Sequence, residues 1–163
     1  MSPKTVRESQ VVTTQLVLPN DTNQLGNLLG GTLMHWMDIV AAICAQRHSG
    51  RVCVTASVDE LAFHRSIGLG ETVTLQASVN RAFQTSMEVG VLVTAQERGS
   101  TSLRRANTAY FTFVALDDKK LPVPVPSVIP ESSTEKRRFD EALARREARL
   151  ARRPAAQKRG GGA

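Results

Sequence analysis

The sequence predicts an α+β domain in which an antiparallel sheet of about five to six strands wraps around one long central helix. Two observations carry this reading. One stretch, Thr32 to His48, is apolar with Leu33, Met37, Val40, Ala41 and Cys44 at the 3.6-residue period of a helix. The later segments instead alternate at period two, the mark of strands with one face buried.

Residues 11–18, Val-Val-Thr-Thr-Gln-Leu-Val-Leu, read as a first strand that stops at Pro19. Residues 20–27 are a polar loop by their Asn, Asp and Gly content. The apolar helix follows and ends at Ser49-Gly50. Residues 52–58 are compact and rich in β-branched side chains. Val73, Leu75, Ala77 and Val79 then alternate with polar neighbours, as do Val89, Val91 and Val93, and then Ala109, Phe111 and Phe113. Leu121-Pro122-Val123-Pro124-Val125-Pro126 lacks the donors of a sheet interior and closes the domain near residue 130 as an extended strap.

Beyond it, Ser132-Ser133-Thr134-Glu135 has the spacing of a capping box and opens a basic helix expected over about 134–153. Residues 154–163, ending Gly-Gly-Gly-Ala, are expected to be disordered.

Charge follows this division. Residues 1–130 hold 11 Lys/Arg and 10 Asp/Glu, whereas residues 131–163 hold 10 and 5. The domain is thus nearly neutral, and the basic character belongs to the extension. A charged run of this kind is most simply a solvated helix. Steering of anionic substrates is a second reading, and binding of nucleic acid or anionic lipid a third. The last is disfavoured, because only Phe139 supplies an aromatic within the basic stretch.

No apolar run approaches the ~18 residues of a membrane span, and residues 1–8 lack the apolar core of a secretory signal, so a cytoplasmic protein is expected. Cys44 and Cys53 sit in apolar surroundings as reduced core residues, with no metal spacing around them.

Within the apolar helix Asp38 is the only acid. A helix apolar nearly all round is expected to be buried, and a carboxylate there must be paired, shifted in pKa or turned to a cavity. It is either a general base or nucleophile, or a structural cap on a neighbouring loop at a subunit interface. His35, one turn earlier, reads as structural or pocket-lining, and His48 as a positively charged group on the helix C-terminus. Trp36, the methionines and Phe63 read as core or interface. Asp59 and Glu60 read as solvent-facing or interface charges, and His64 is left without a role.

The run Asp21-Thr22-Asn23-x-x-Gly26-Asn27-x-x-Gly30-Gly31-x-x-Met34-x-x-Met37-Asp38, with His48 ten residues later, resembles the hotdog-fold acyl-CoA thioesterases of the cytosolic type. Val54-Thr55-Ala56-Ser57-Val58-Asp59, Phe63, Gly70-Glu71, Thr85-Ser86-Met87-Glu88-Val89 and Phe111 to Asp117 extend the likeness over residues 11–127, as one hotdog unit. Ser66 stands where the family commonly has Pro, which alters the shape of that rim.

The resemblance implies a dimer whose sheets join, active sites at the dimer interface, assembly into trimers of dimers, and hydrolysis of acyl-CoA without a cofactor. It also implies that Asp38 is the catalytic acid of the central helix, and that Asn23 is its partner from the opposite subunit. The backbone N–H of Gly31, beside Gly30, is the expected oxyanion donor at the helix N-terminus. By the same likeness Thr55, Ser57, Thr85 and Ser86 border the coenzyme A moiety, and by charge Arg65 and Arg81 are candidate phosphate partners. A non-catalytic acyl-CoA sensor on the same fold is the alternative. Enoyl-CoA hydration is disfavoured, because the loop before the helix lacks the Asp–His pattern that this chemistry wants.

Overall fold

The computed structural model describes residues 1–59, 61–63 and 65–154. In chain order the elements are β1 (Lys4–Thr5), α1 (Val6–Ser9), β2 (Val11–Leu16), a 3₁₀ turn (Pro19–Asp21), α2 (Gly30–Ser49), β3 (Val52–Val58), β4 (Thr72–Ala82), β5 (Ser86–Gln96), β6 (Arg104–Leu116), β7 (Val128–Ile129) and α3 (Ser133–Ala151). Five strands form one antiparallel sheet in the order β2-β4-β5-β6-β3, and β1 pairs with β7 in a short parallel ribbon.

Period-two alternation does what it should. Val73, Leu75, Ala77 and Val79 of β4, Met87, Val89, Val91 and Val93 of β5, and Ala109, Phe111, Phe113 and Ala115 of β6 are all buried. They face Leu33, Met37, Val40, Ala41, Cys44 and Ala45 of α2, and the whole set forms one contiguous core. The sheet wraps α2, as expected of the hotdog fold.

Two expectations need correction. The helix is not buried all round: Met34, Ile39 and Ile43 are 37–45% exposed along its second face. A single chain supplies only one sheet to cover it. Nor is the basic helix solvated all round: one face of it is docked. The capping box forms as expected, with Ser132 Oγ accepting from the Glu135 N–H at 3.2 Å and the Glu135 carboxylate accepting from the Ser132 N–H at 3.0 Å. From there α3 lies on the outer face of the sheet, opposite α2, with Ala142 fully buried.

The outer face is prepared for it. A β-bulge between Val79 and Arg81 turns two consecutive residues, Asn80 and Arg81, towards α3. Gly90 leaves room beneath, since a Cβ there would stand 2.8 Å from Asn80 Nδ2. The expected tail beyond residue 154 lies outside the described residues, as do Glu60 and His64.

Candidate functional site

Asp38 sits midway along α2, half-buried, at the border of the covered and uncovered faces. Its Oδ1 accepts the hydroxyl hydrogen of Thr55 on β3 at 2.7 Å. That bond fixes the carboxylate while leaving its second oxygen free to accept a proton. Thr55 can reach because β3 is an edge strand lying beside α2, and a bulge between Thr55 and Ser57 re-aims the strand there.

The helix start supplies the second part of the site. The N-cap position is Leu29, which has no side-chain acceptor, so the N–H groups of Gly30, Gly31 and Thr32 have no partner within the helix. Gly31 is exposed, and a Cβ there would meet nothing within 4 Å. Seven residues separate Gly31 from Asp38, which is two helical turns, about 10 Å along the axis on one face. Helical side chains lean towards the N-terminus, which brings the Asp38 carboxylate back towards this N–H. Gly30 has a different neighbour: a Cβ on it would lie 3.2 Å from the ring of Phe63.

Asn23 belongs to a loop braced from several sides. Its Oδ1 accepts from the N–H groups of Leu25 (2.9 Å) and Asn27 (3.1 Å), its N–H bonds the Asn27 carbonyl, and Leu28 N–H bonds the Ile67 carbonyl. This leaves the Asn23 amide nitrogen exposed. Among the described residues no hydrogen bond joins Asn23 to Asp38 of the same chain.

The other expected contacts scatter. Ser57 is half-buried on β3 opposite Thr112. Ser86 lies opposite Val114 of β6, whose other neighbour is Val54, so it stands two strands from Thr55's end of β3. Its hydroxyl accepts from Arg146 at 3.4 Å, and the Thr85 carbonyl accepts from the Ala115 N–H. Arg65 is exposed on an open concavity of about 670 Å³ that Arg104 and Arg105 also line. Arg104 there pairs with Glu71 at 2.8 Å and donates to the Ser66 carbonyl at 3.0 Å, and Arg105 donates to Thr108 Oγ1 at 2.8 Å. Arg81 is engaged elsewhere: it donates to the Phe139 carbonyl at 3.1 Å and stacks over the Phe139 ring at 4.0 Å. Its guanidinium holds α3 rather than standing free.

Two charge assignments change. His48 is fully buried, its Nε2 is 2.8 Å from the Pro126 carbonyl oxygen, and burial lowers its pKa despite that bond. The positive charge on the helix C-terminus comes instead from Lys4, whose Nζ donates to the His48 carbonyl at 2.7 Å. Asp59 is paired with Arg149 at 2.9 Å, not solvated. Cys44 and Cys53 are unpaired and buried, and burial pushes the Cys44 thiol up to about 12. Among the described residues no group of three or more His, Cys, Asp or Glu could hold a metal, and no helix is long and apolar enough to cross a membrane.

A more enclosed concavity, of about 280 Å³, lies under α3 on the opposite face of the sheet, away from Asp38. Asp38 with its Thr55 bond, and the exposed Gly31 two turns away, lie outside it.

Comparison with known proteins sharpens this picture. The family model described as thioesterase superfamily matches residues 25–102. A Bacillus subtilis protein named as an uncharacterized acyl-CoA thioester hydrolase is 43% identical over 129 residues, which are 79% of this chain and 75% of that protein. The human cytosolic acyl coenzyme A thioester hydrolase is 40% identical over 145 residues, and the chain spans 38% of its length. Among solved structures, an acyl-CoA hydrolase from Staphylococcus aureus in complex with butyryl coenzyme A and coenzyme A superposes with a TM-score of 0.89 at 39% identity, covering 96% of each chain. A hexameric acyl-CoA thioesterase superposes with a TM-score of 0.90 at 36% identity, covering 93% of this chain and 97% of that one. The Staphylococcus aureus hydrolase has also been solved as alanine variants of an asparagine, an aspartate and a threonine. Their spacings of 15 and 17 residues are those of Asn23, Asp38 and Thr55. Motif, sheet topology and relatives agree, and the chain belongs to the thioesterase superfamily, among its hotdog-fold acyl-CoA thioesterases.

Proposed function

We propose that this chain hydrolyses acyl-CoA to a free fatty acid and coenzyme A, with Asp38 as general base or nucleophile. The observation that carries the reading is the juxtaposition of a carboxylate held by Thr55 and an uncapped helix start two turns away on the same face. In the general-base form, a water loses its proton to Asp38 as its oxygen bonds to the thioester carbon. The N–H of Gly31 stabilises the negative charge that develops on the carbonyl oxygen. Collapse of the tetrahedral intermediate expels the thiolate, which leaves without acid assistance. In the nucleophilic form Asp38 attacks first and water then hydrolyses the anhydride. Neither route needs a cofactor, because coenzyme A is part of the substrate.

The half-site is completed by a second copy. β3 is a sheet edge with Val52 66% and Val54 44% exposed, and α2 leaves Ile39 and Ile43 uncovered. Pairing two such edges covers these side chains and satisfies the open strand. It also lets Asn23 of one protomer serve Asp38 of the other, with its exposed amide nitrogen orienting water or substrate. The hexameric relative supports further assembly into trimers of dimers. Arg65, exposed on its concavity, supplies a cation for the phosphates of coenzyme A, while Arg104 beside it is paired with Glu71 at 2.8 Å. Unpaired cysteines and the cytosolic relative support a cytoplasmic location.

The test is thiol release with Ellman's reagent across C2 to C18 acyl-CoAs. Chain-length-dependent release is expected. Binding of acyl-CoA without release from any chain would replace the enzyme by an acyl-CoA sensor on the same fold.

A further inference from the structure

We propose that Arg149 of α3 is a positioning residue for the thioester site, acting through Asp59 and Phe63; the inference rests on the thioesterase reading above. Arg149 Nη1 donates to Asp59 Oδ2 at 2.9 Å and Oδ1 at 3.1 Å. Both side chains are about four-fifths buried, so this pair is partly shielded from solvent. Asp59 is the first residue past β3, and its N–H bonds the Tyr110 carbonyl at 3.0 Å.

The segment that follows is held at two more points. The Ala62 carbonyl accepts from Asn107 Nδ2 of β6 at 2.6 Å, and the Phe63 ring packs where a Cβ on Gly30 would otherwise stand. Residues 59, 62 and 63 are thus fixed by α3, by β6 and by the first turn of α2. Phe63 is 48% exposed, so burial alone does not place it. Its ring walls the helix start whose N–H groups stabilise the oxyanion. A shift of that wall moves the carbonyl relative to Asp38, and small misplacements are costly to rate.

Docking of α3 does not account for Arg149. Arg145 already binds Glu88 through Nε and Nη2 at 2.7–3.2 Å and stacks over Tyr110 at 3.7 Å, while Arg149 meets Glu88 at only 3.4 Å. The shorter bonds of Arg149 go to Asp59.

The experiment measures amide hydrogen exchange at Leu61, Ala62 and Phe63, together with kcat and KM for acyl-CoA hydrolysis, in R149Q, R149K, D59N, F63A and the R149Q/F63A double variant. R149Q and D59N are expected to speed exchange at those amides about tenfold and to lower kcat about tenfold with KM little changed. R149K, which keeps the charge, restores most of both. On the F63A background R149Q causes no further loss of kcat, because Phe63 is the route by which it acts. D59N removes the charge of the pair and leaves every residue of α3 in place, so it decides the matter if R149Q fails to fold. Unchanged exchange in D59N, or losses from R149Q and F63A that multiply, would overturn the proposal. A wild-type protein that cleaves no acyl-CoA would overturn the thioesterase reading itself, a failure separate from unchanged exchange.

Discussion

Two carboxylates on opposite faces of one sheet, Asp38 and Glu88, differ in how fully their oxygens are engaged. Asp38, on α2, is half-exposed and receives one side-chain hydrogen bond, from a neutral hydroxyl. Glu88, on β5, is fully buried and receives Arg145 through two nitrogens, Arg149 and the Asn80 amide. A carboxylate bonded to two arginines and an amide has its oxygens committed to fixed partners. One held by a single hydroxyl keeps an oxygen for a reacting group. The arginine side follows the same logic: burial opposes the charge of Arg145, but the hydrogen bonds and charge of Glu88 outweigh it and raise its pKa. The more heavily bonded acid is the structural one.

Exchanging the acids' chemistry breaks the comparison most severely at Asp38. Asp38→Asn keeps the size and an acceptor for Thr55 but removes the proton acceptor. Turnover is expected to fall about 10³-fold, within the usual range for a general base, with the denaturation midpoint little changed. Full turnover by this variant, read by thiol release, would remove Asp38 from the mechanism. At Glu88 the expected loss is in stability. Glu88→Ala strands Arg145 against the sheet, and removing one member of a buried ion pair costs about 3–5 kcal/mol. Urea unfolding with an unchanged m-value measures it. A loss under 1 kcal/mol would mean that α3 docks through its apolar contacts alone.

The difference between the two faces also explains what could be read from the residues. The strands were legible because Val73, Leu75, Ala77 and Val79 alternate without interruption. Asp38 was legible because no other acid interrupts its helix. Its partnership with Thr55 was not, since it spans helix and strand across a packing that neither period records. The uncovered face of α2 escapes the pattern for a related reason: periodicity marks which residues are apolar, not whether the chain's own core covers them. On α3, Phe139, Ala142, Arg146 and Arg149 do recur at helical spacing, but a stripe of arginines reads as solvent-facing. Only the buried acid on β5 makes it an interior face. His48 was misread because its partner, the Pro126 carbonyl, lies 78 residues away.

Thr55 refines the comparison from the catalytic side. Thr55→Val removes the hydroxyl while keeping a β-branched residue suited to an edge strand. The bond is to a charged group, so about 1.5–3 kcal/mol of orientation is at stake. A fall in kcat of about 10- to 100-fold with little change in KM is expected, and Thr55→Ser should recover most of it. If valine were as active as threonine, a single hydroxyl would not suffice to aim Asp38, and the positioning would have to come from the second protomer.

The smallest effect expected is at His48, which tests whether the core under α2 tolerates a charge. Burial lowers its pKa in the folded state, so the unfolded chain binds the proton more readily. Stability is then complete above the unfolded value of about 6.5 and declines as pH falls from there towards the lowered folded value. Neighbouring charges do not offset this. Lys4 lowers the pKa further and Glu8 raises it less than Lys4 lowers it. Protonation would also give buried Nδ1, which has no hydrogen-bond partner, a donor with nowhere to point. Between pH 7 and pH 5 the wild type is expected to lose about 2–4 °C in Tm more than His48→Gln, whose amide can still donate to the Pro126 carbonyl but cannot titrate. Identical slopes for the two proteins, followed by calorimetry at fixed ionic strength, would show that the acid sensitivity of the fold resides outside this helix end.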